Sequence, residues 1–172
     1  MATDGRAPLN LPPGLEAGLL LRDLDLPTLV VAADASRRTL AVDLDGVEGL
    51  NPDASAARFV TQLGIEIVVT RRSSVAVDVV ELGGLALLHI FAFDSTGLGR
   101  ALEGHPRHPG VGTVVSPGPV VAHLSADDIG RLPRPLVAYG LIDTPARAAS
   151  LLAHVDSVVV HADCAAAMET FP

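Results

Sequence analysis

IEIVVTRRSS (65–74) and LALLHIFAFD (85–94) decide the fold of this chain. Each is a short apolar run that ends in a polar residue and passes into a turn and a stretch able to form a helix. AVDLD (41–45), PLVAYG (135–140) and SVVVHAD (157–163) end the same way, and GTVVSPG (112–118) does so more weakly. The runs are apolar at consecutive positions, as strands covered on both faces are. Strand, turn and helix in repetition imply a parallel sheet, because parallel neighbours need a crossover between them. The polar residues that follow the strands then gather on one rim, which in α/β folds is where ligands bind.

Working outward, strands are expected at 18–24, 39–43, 65–70, 85–91, 113–115, 135–139 and 157–161. Helices are expected at 27–35, from Asn51 onward, at 73–82 and 95–102, within 118–132, from Thr144 to about His154, and at 165–168. Asn51 is read as a cap with Pro52 at the first helical position, and Thr144-Pro145 likewise. Ser73 is read as a cap, and Ser125 with Asp128 as a capping box. Residues 1–14 hold Pro8, Pro12 and Pro13 and read as an irregular arm of a single 1–172 domain, with room for a short strand near 9–11. The 103–112 stretch reads as a loop that leaves His105 and His108 in solvent.

Seven or eight strands suit an open doubly wound sheet or a closed barrel. A small (β/α)8 TIM-like barrel fits better, since no late strand reads as an amphipathic edge and barrels have none. At 172 residues the chain is shorter than the roughly 200 or more usual for that fold. The helices must therefore be short, and the N-terminal unit shortened.

All 12 basic residues are arginine, and the net charge is −8. A nucleic-acid binder usually shows a basic patch, whereas here the arginines pair up only at Arg37-Arg38 and Arg71-Arg72. With four Phe, one Tyr and no Trp, platforms for base stacking are scarce. No apolar stretch approaches the roughly 20 residues of a membrane span. The N-terminus lacks the basic-then-apolar pattern of a signal peptide. The simplest location is the cytoplasm. The lone Cys164 excludes an internal disulfide and reads as buried and inert.

The chemistry-bearing residues follow the strands. Asp43, Asp45, Glu48 and Asp53 crowd after one strand and suit Mg²⁺ or acid–base work, or else a solvated loop with a turn at Asp45-Gly46. Arg71 is placed to clamp a phosphate or carboxylate. His89 suits either the barrel mouth or a structural role, and Asp94 a cap or a rim ligand. In barrels the last two strands often close a phosphate site from backbone N–H groups. Gly140, Leu141, His161 and Asp163 stand there. No nucleophile elbow, zinc-ligand set, GxGxxG or P-loop is present, so neither cofactor nor metal is expected.

The order of these motifs resembles the glycerol-3-phosphate-responsive antiterminator family. Its aspartate–leucine–x–glutamate–glycine–leucine stretch appears as Asp43-Leu44-Asp45-Gly46-Val47-Glu48-Gly49-Leu50, with two extra residues before the glutamate. Thr70-Arg71-Arg72-Ser73-Ser74 follows, then Gly84-Leu85 through Phe91-Ala92-Phe93-Asp94-Ser95. Pro117-Gly118 and Tyr139-Gly140-Leu141-Ile142-x-Thr144 fall where the family has a Pro-Gly turn and Gly-Gly-Leu-Ile-x-Thr. The resemblance implies a TIM barrel and a non-enzymatic transcription regulator that senses glycerol 3-phosphate and acts on leader mRNA of glycerol-use genes. The chain departs from the pattern at three points. His89 replaces a basic residue, Tyr139 replaces the first glycine, and His161-Ala162-Asp163 replaces Thr-Ser-Asn, setting an aspartate where a phosphate would be repelled.

These readings combine into a rim site for a small phosphorylated or polyol ligand. Arg71, His89, Asp94, Gly140, Leu141 and His161 approach the ligand, and Asp43 and Glu48 take its hydroxyls. An enzyme built on Asp43 and Glu48, and a diverged barrel that binds nothing, are the alternatives. Glycerol 3-phosphate and leader mRNA are the partners implied, without a membrane. A homo-oligomer is compatible with the sequence.

Overall fold

The computed structural model describes residues 6–10, 18–36, 38–92, 95–161 and 163–164. Eight strands close into a barrel in the order β1-β10-β9-β8-β7-β6-β4-β2. They are β1 (Arg6–Asn10), β2 (Gly18–Leu21), β4 (Leu40–Asp43), β6 (Ile67–Thr70), β7 (Leu85–Phe91), β8 (Val111–Ser116), β9 (Leu136–Tyr139) and β10 (Ser157–Val159). Seven of the eight run parallel. β1 runs antiparallel to both β2 and β10 and closes the ring. The expected TIM-like barrel with a shortened N-terminal unit is present. The arm read as irregular over 1–14 supplies a strand at Arg6–Asn10, because the outer strands β2 and β10 would otherwise leave their backbone groups unpaired. The 165–168 helix and Asp94 lie outside the described residues.

Among the described residues the crossovers are short helices: α1 (Leu26–Ala35), α2 (Ala54–Gln62), α3 (Ser73–Glu81), α4 (Ser95–Gly104), α5 (Ala126–Arg131) and α6 (Pro145–Leu151). No described helix is long and apolar enough to cross a membrane. Asp25 caps α1, its side chain accepting from the Thr28 amide. Asp53, not Asn51, caps α2: its carboxylate accepts the Ser55 and Ala56 amides, and Asn51 donates to it. A carboxylate gains more from the helix N-terminus than a neutral amide does. Ser125 caps α5 and Thr144 caps α6, as expected. Ser73 does not cap α3; its hydroxyl donates to the Gly104 carbonyl, tying α3 to the end of α4.

Side chains alternate across each strand. Leu20, Ala41, Ile67, Val69, Leu87, Val114, Val137 and Val159 fill the barrel interior. Leu21, Val42, Val68, Leu88, Val115, Leu136, Ala138 and Val158 pack outward under the helices. Both faces are therefore apolar, which is why the strands read as unbroken hydrophobic runs. His105, expected in solvent, is buried. Its Nε2 lies 3.1 Å from Thr113 Oγ1 and 3.3 Å from the Gly112 carbonyl, so it fastens the loop before β8 to the base of that strand. Cys164 is buried, and burial, then the charge of Asp143, pushes its thiol above the usual range, in line with an inert role.

Candidate functional site

The same alternation builds the mouth. Two positions beyond the interior residues, the next inward places at the carboxyl ends are Arg22, Asp43, Arg71, His89, Ser116 and Tyr139. Arg22 and Tyr139 thus join a site that the sequence reading built from Asp43, Glu48, Arg71, His89, Asp94, Gly140, Leu141 and His161. In the sequence, Arg22 and Asp23 interrupt the apolar run of 18–24. The signal that finds Arg22 is its spacing from Leu20, an interior residue.

His89 is the deepest polar group. It is 9% exposed, and its Nε2 has no hydrogen-bond partner among the described residues. The Tyr139 ring meets it edge-on at 5.7 Å, and Phe91 packs against it at 4.5 Å. The Tyr139 hydroxyl is likewise buried and unpartnered, while the Arg22 guanidinium lies over its ring, 5.4 Å from the centroid. That cation–π contact holds both side chains at the opening.

Burial, then the nearby Arg71 and Arg22 cations, lower the His89 pKa from 6.5 to about 4. The imidazole is therefore neutral near pH 7. Between pH 4 and 6.5 the unfolded chain would bind a proton at His89 that the folded chain refuses. Stability contributed by His89 is thus complete above pH 6.5 and is lost as the pH falls toward 4. The full span amounts to about 3 kcal/mol. Asp43 acts in the opposite sense. Burial, then Asp45, raise its pKa above 3.8, so the folded chain holds that proton longer and stability declines as the pH rises from 3.8 through the raised value. Thermal melts across pH 4–7 should show stability rising with pH for the parent and a flatter profile for His89→Gln. An unchanged slope in that variant would show that His89 does not set it.

Asp45, expected in a solvated turn, is instead a brace. Its side chain is 5% exposed, accepts the Arg71 amide at 2.7 Å, and faces Arg71 Nε at 3.8 Å and Arg72 Nε at 3.5 Å. It links the turn after β4 to the turn after β6. Arg22 pairs with Asp23 at 2.6 Å. Asp43 makes no ion pair among the described residues.

Glu48 lies past the end of the strand that carries Asp43. It is exposed on β5 (Val47–Glu48), which pairs with β3 (Leu24–Asp25) in a separate two-stranded ribbon with Glu48 opposite Asp25. The groups that most shift Asp43 are Asp45, Arg22, Arg71 and Asp23, without Glu48. His161 is exposed, and its Nδ1 faces Asp163 at 3.4 Å, so it reaches outward. Gly140 and Leu141 both take positive φ, 78° and 57°. Glycine suits this geometry; leucine adopts it at a cost of about 1–2 kcal/mol. The Leu141 side chain is 71% exposed, while Arg147 donates to its carbonyl.

The profile of the family described as glycerol-3-phosphate responsive antiterminator matches residues 19–163. A solved glycerol uptake operon antiterminator-related protein from Thermotoga maritima is 26% identical. It superposes with a TM-score of 0.71 over 84% of each chain. The glycerol uptake operon antiterminator regulatory protein from Listeria monocytogenes is 20% identical, with a TM-score of 0.69 over 82% of this chain and 78% of the other, and attests the fold. No curated protein sequence matches. With its profile matched over nearly the whole barrel and its sheet superposing on these relatives, the chain belongs to the glycerol-3-phosphate responsive antiterminator family.

Proposed function

We propose that this chain is a regulator that senses a small phosphorylated or polyol ligand at the carboxyl-end mouth of the barrel and acts on leader mRNA. One observation carries the sensing half of the reading. The buried His89 Nε2 lacks a partner, at a mouth rimmed by Arg22, Asp43, Arg71 and Tyr139. Buried polar atoms are rarely left unsatisfied, and a ligand or an ordered water is the usual remedy. Family membership supports the regulatory half. Gly140 and Leu141, strained or turned at the same rim, are the backbone that would move or close on a ligand.

The test is a thermal melt of the full chain with glycerol 3-phosphate and with glycerol. A ligand present at a hundred times its Kd stabilises the folded state by about 2.7 kcal/mol, and the melting temperature should rise by about 5–10 °C. Loss of the shift in His89→Leu ties it to the mouth. No shift with either compound at saturating concentrations would remove the sensing reading. The RNA reading is tested by binding to leader RNA at 50 and 200 mM salt. Contact through arginines must weaken steeply with salt, and no retention at the lower salt would remove it.

A further inference from the structure

We infer that Arg22, laid across the opening against the Tyr139 ring, meets the phosphate of the ligand together with Arg71, and that Tyr139 aims it. The inference rests on the reading of the mouth as a ligand site and names the residues that receive the charged end of the ligand.

Topology places Arg22 over the opening. It follows β2 directly and lies in step with Asp43 at the end of β4, since Leu21 pairs with Val42. Tyr139 ends β9, three strands away round the ring by way of β1 and β10. Strands three steps apart in a ring of eight stand nearly opposite each other. The Arg22 guanidinium carbon still lies 5.4 Å from the Tyr139 ring centroid, so this side chain spans the mouth. Its charge acts on both sides of the opening. After burial, which has the largest effect on each, the charges of Arg71 and Arg22 both bear on Asp43 of β4 and on His89 of β7. Two guanidinium groups, from the turns after β2 and β6, therefore converge on one site.

A phosphate monoester carries close to two negative charges at neutral pH, and guanidinium forks match its oxygens. His89 is neutral near pH 7 and supplies no charge. Arg22 and Arg71 do, and neither is locked in place. Arg22 pairs with Asp23, its neighbour in sequence, but the Asp23 side chain is 65% exposed, and exposed pairs of this kind are weak. The Arg71 side chain is 56% exposed, with its Nε 3.8 Å from Asp45. Asp45 holds Arg71 more closely by its amide than by its guanidinium. Both groups can therefore turn to a dianion.

Tyr139 stands where the family pattern has a glycine, and its ring gives the exchange a use. A ring face holds a cation through its π cloud and leaves the N–H edge of a guanidinium free to donate. Arg22 is thus kept over the opening with its donors available. Deeper in the mouth, the unpartnered His89 Nε2 and Tyr139 hydroxyl, with Asp43, remain for hydroxyl groups of the ligand.

Isothermal titration of the full chain with glycerol 3-phosphate, at roughly 50 and 200 mM NaCl, tests this. Arg22→Gln is expected to weaken binding about tenfold or more and to flatten its salt dependence, because one of two cations is gone. Arg22→Lys keeps a charge without the fork and should recover part of the loss. Tyr139→Phe keeps the ring face and should bind within about twofold of the parent, whereas Tyr139→Leu should weaken binding about two- to fivefold. Thermal melts establish that each variant is folded. If Arg22→Gln does not fold, Arg22→Lys against the parent gives the same reading. Arg22→Gln binding as tightly as the parent would overturn the inference and leave the sensing reading standing. Equal losses in Arg22→Gln and Arg22→Lys with an unchanged salt dependence would also overturn it, since they mark a residue that only supports its turn. Tyr139→Phe as weak as Tyr139→Leu would overturn the aiming role of the ring. No heat with glycerol 3-phosphate on the folded parent would remove the sensing reading for that ligand, and the inference with it.

Discussion

Gly112→Ala is expected to lower the melting temperature by about 6–12 °C, the largest loss expected for a methyl group added at any of the described glycines. Gly112 faces the barrel interior beside Leu87. A Cβ there would lie 2.5 Å from the Pro135 carbonyl oxygen, 2.7 Å from Pro135 Cδ and 2.9 Å from Leu87 Cδ2. The leucine can adjust, but the proline backbone cannot do so cheaply. The Pro135 carbonyl accepts the Thr113 amide at 2.9 Å, and Leu136 next to it donates to Asp156 at 2.7 Å. On the other side the Gly112 carbonyl is met by the buried His105. Relief requires β8 and β9 to separate, which breaks ladder hydrogen bonds; a cost of about 3 kcal/mol follows. Gly130→Ala is the control. It lies in α5 with nothing within 4 Å of an added Cβ, and alanine there should be neutral or stabilising by up to about 1 kcal/mol. Equal melting temperatures for the two variants would show that the contact at Pro135 is not limiting.

Asp45→Ala should cost about 2–3 kcal/mol and should also disturb the mouth. The carboxylate holds one backbone amide and two guanidinium groups from the next βα turn, while its own side chain is nearly buried. Removing it leaves the Arg71 amide without its acceptor and frees Arg71 and Arg72, both of which have side chains more than half exposed. Asp45→Asn keeps an acceptor for the amide and loses the charge, so it should recover roughly half of the loss. Thermal melts of parent, Asp45→Asn and Asp45→Ala order the three. The Asn-to-parent gap should shrink in 0.5 M salt, since exposed arginines are screened. An Ala variant as stable as the parent would mean that the two turns hold together without the brace.

Local pattern carried much of this fold. The consecutive apolar residues of 67–70, 85–91 and 157–159 announce strands covered on both faces, and Thr144-Pro145 and Ser125 with Asp128 announce their helices. Where local rules competed, tertiary contacts decided. Asn51 and Asp53 both suit a cap, and the charged side chain took the role. Ser73 stands at a helix start yet donates to the Gly104 carbonyl, thirty-one residues away in sequence. His105 lies in a Pro/Gly-rich loop that reads as solvated, and only the approach of β8 buries it.

The site divides along the same line. That polar residues collect where the strands end is a consequence of chain order alone, because every parallel strand must finish on the same side of the barrel. Asp43, Arg71 and His89 were legible for that reason. Which of the rim residues converge depends on the phase of each strand's two-residue repeat and on how the following turn leaves the sheet. That phase turns Arg22 and Tyr139 inward. The turns after β4 and β10 carry Glu48 onto an exposed ribbon and His161 out to Asp163. The sequence by itself determined a parallel barrel with a polar rim, because burial of apolar strands is written locally. Only the tertiary structure decided that arginines and carboxylates pair at that rim, because ion pairing depends on distances between turns far apart in the chain.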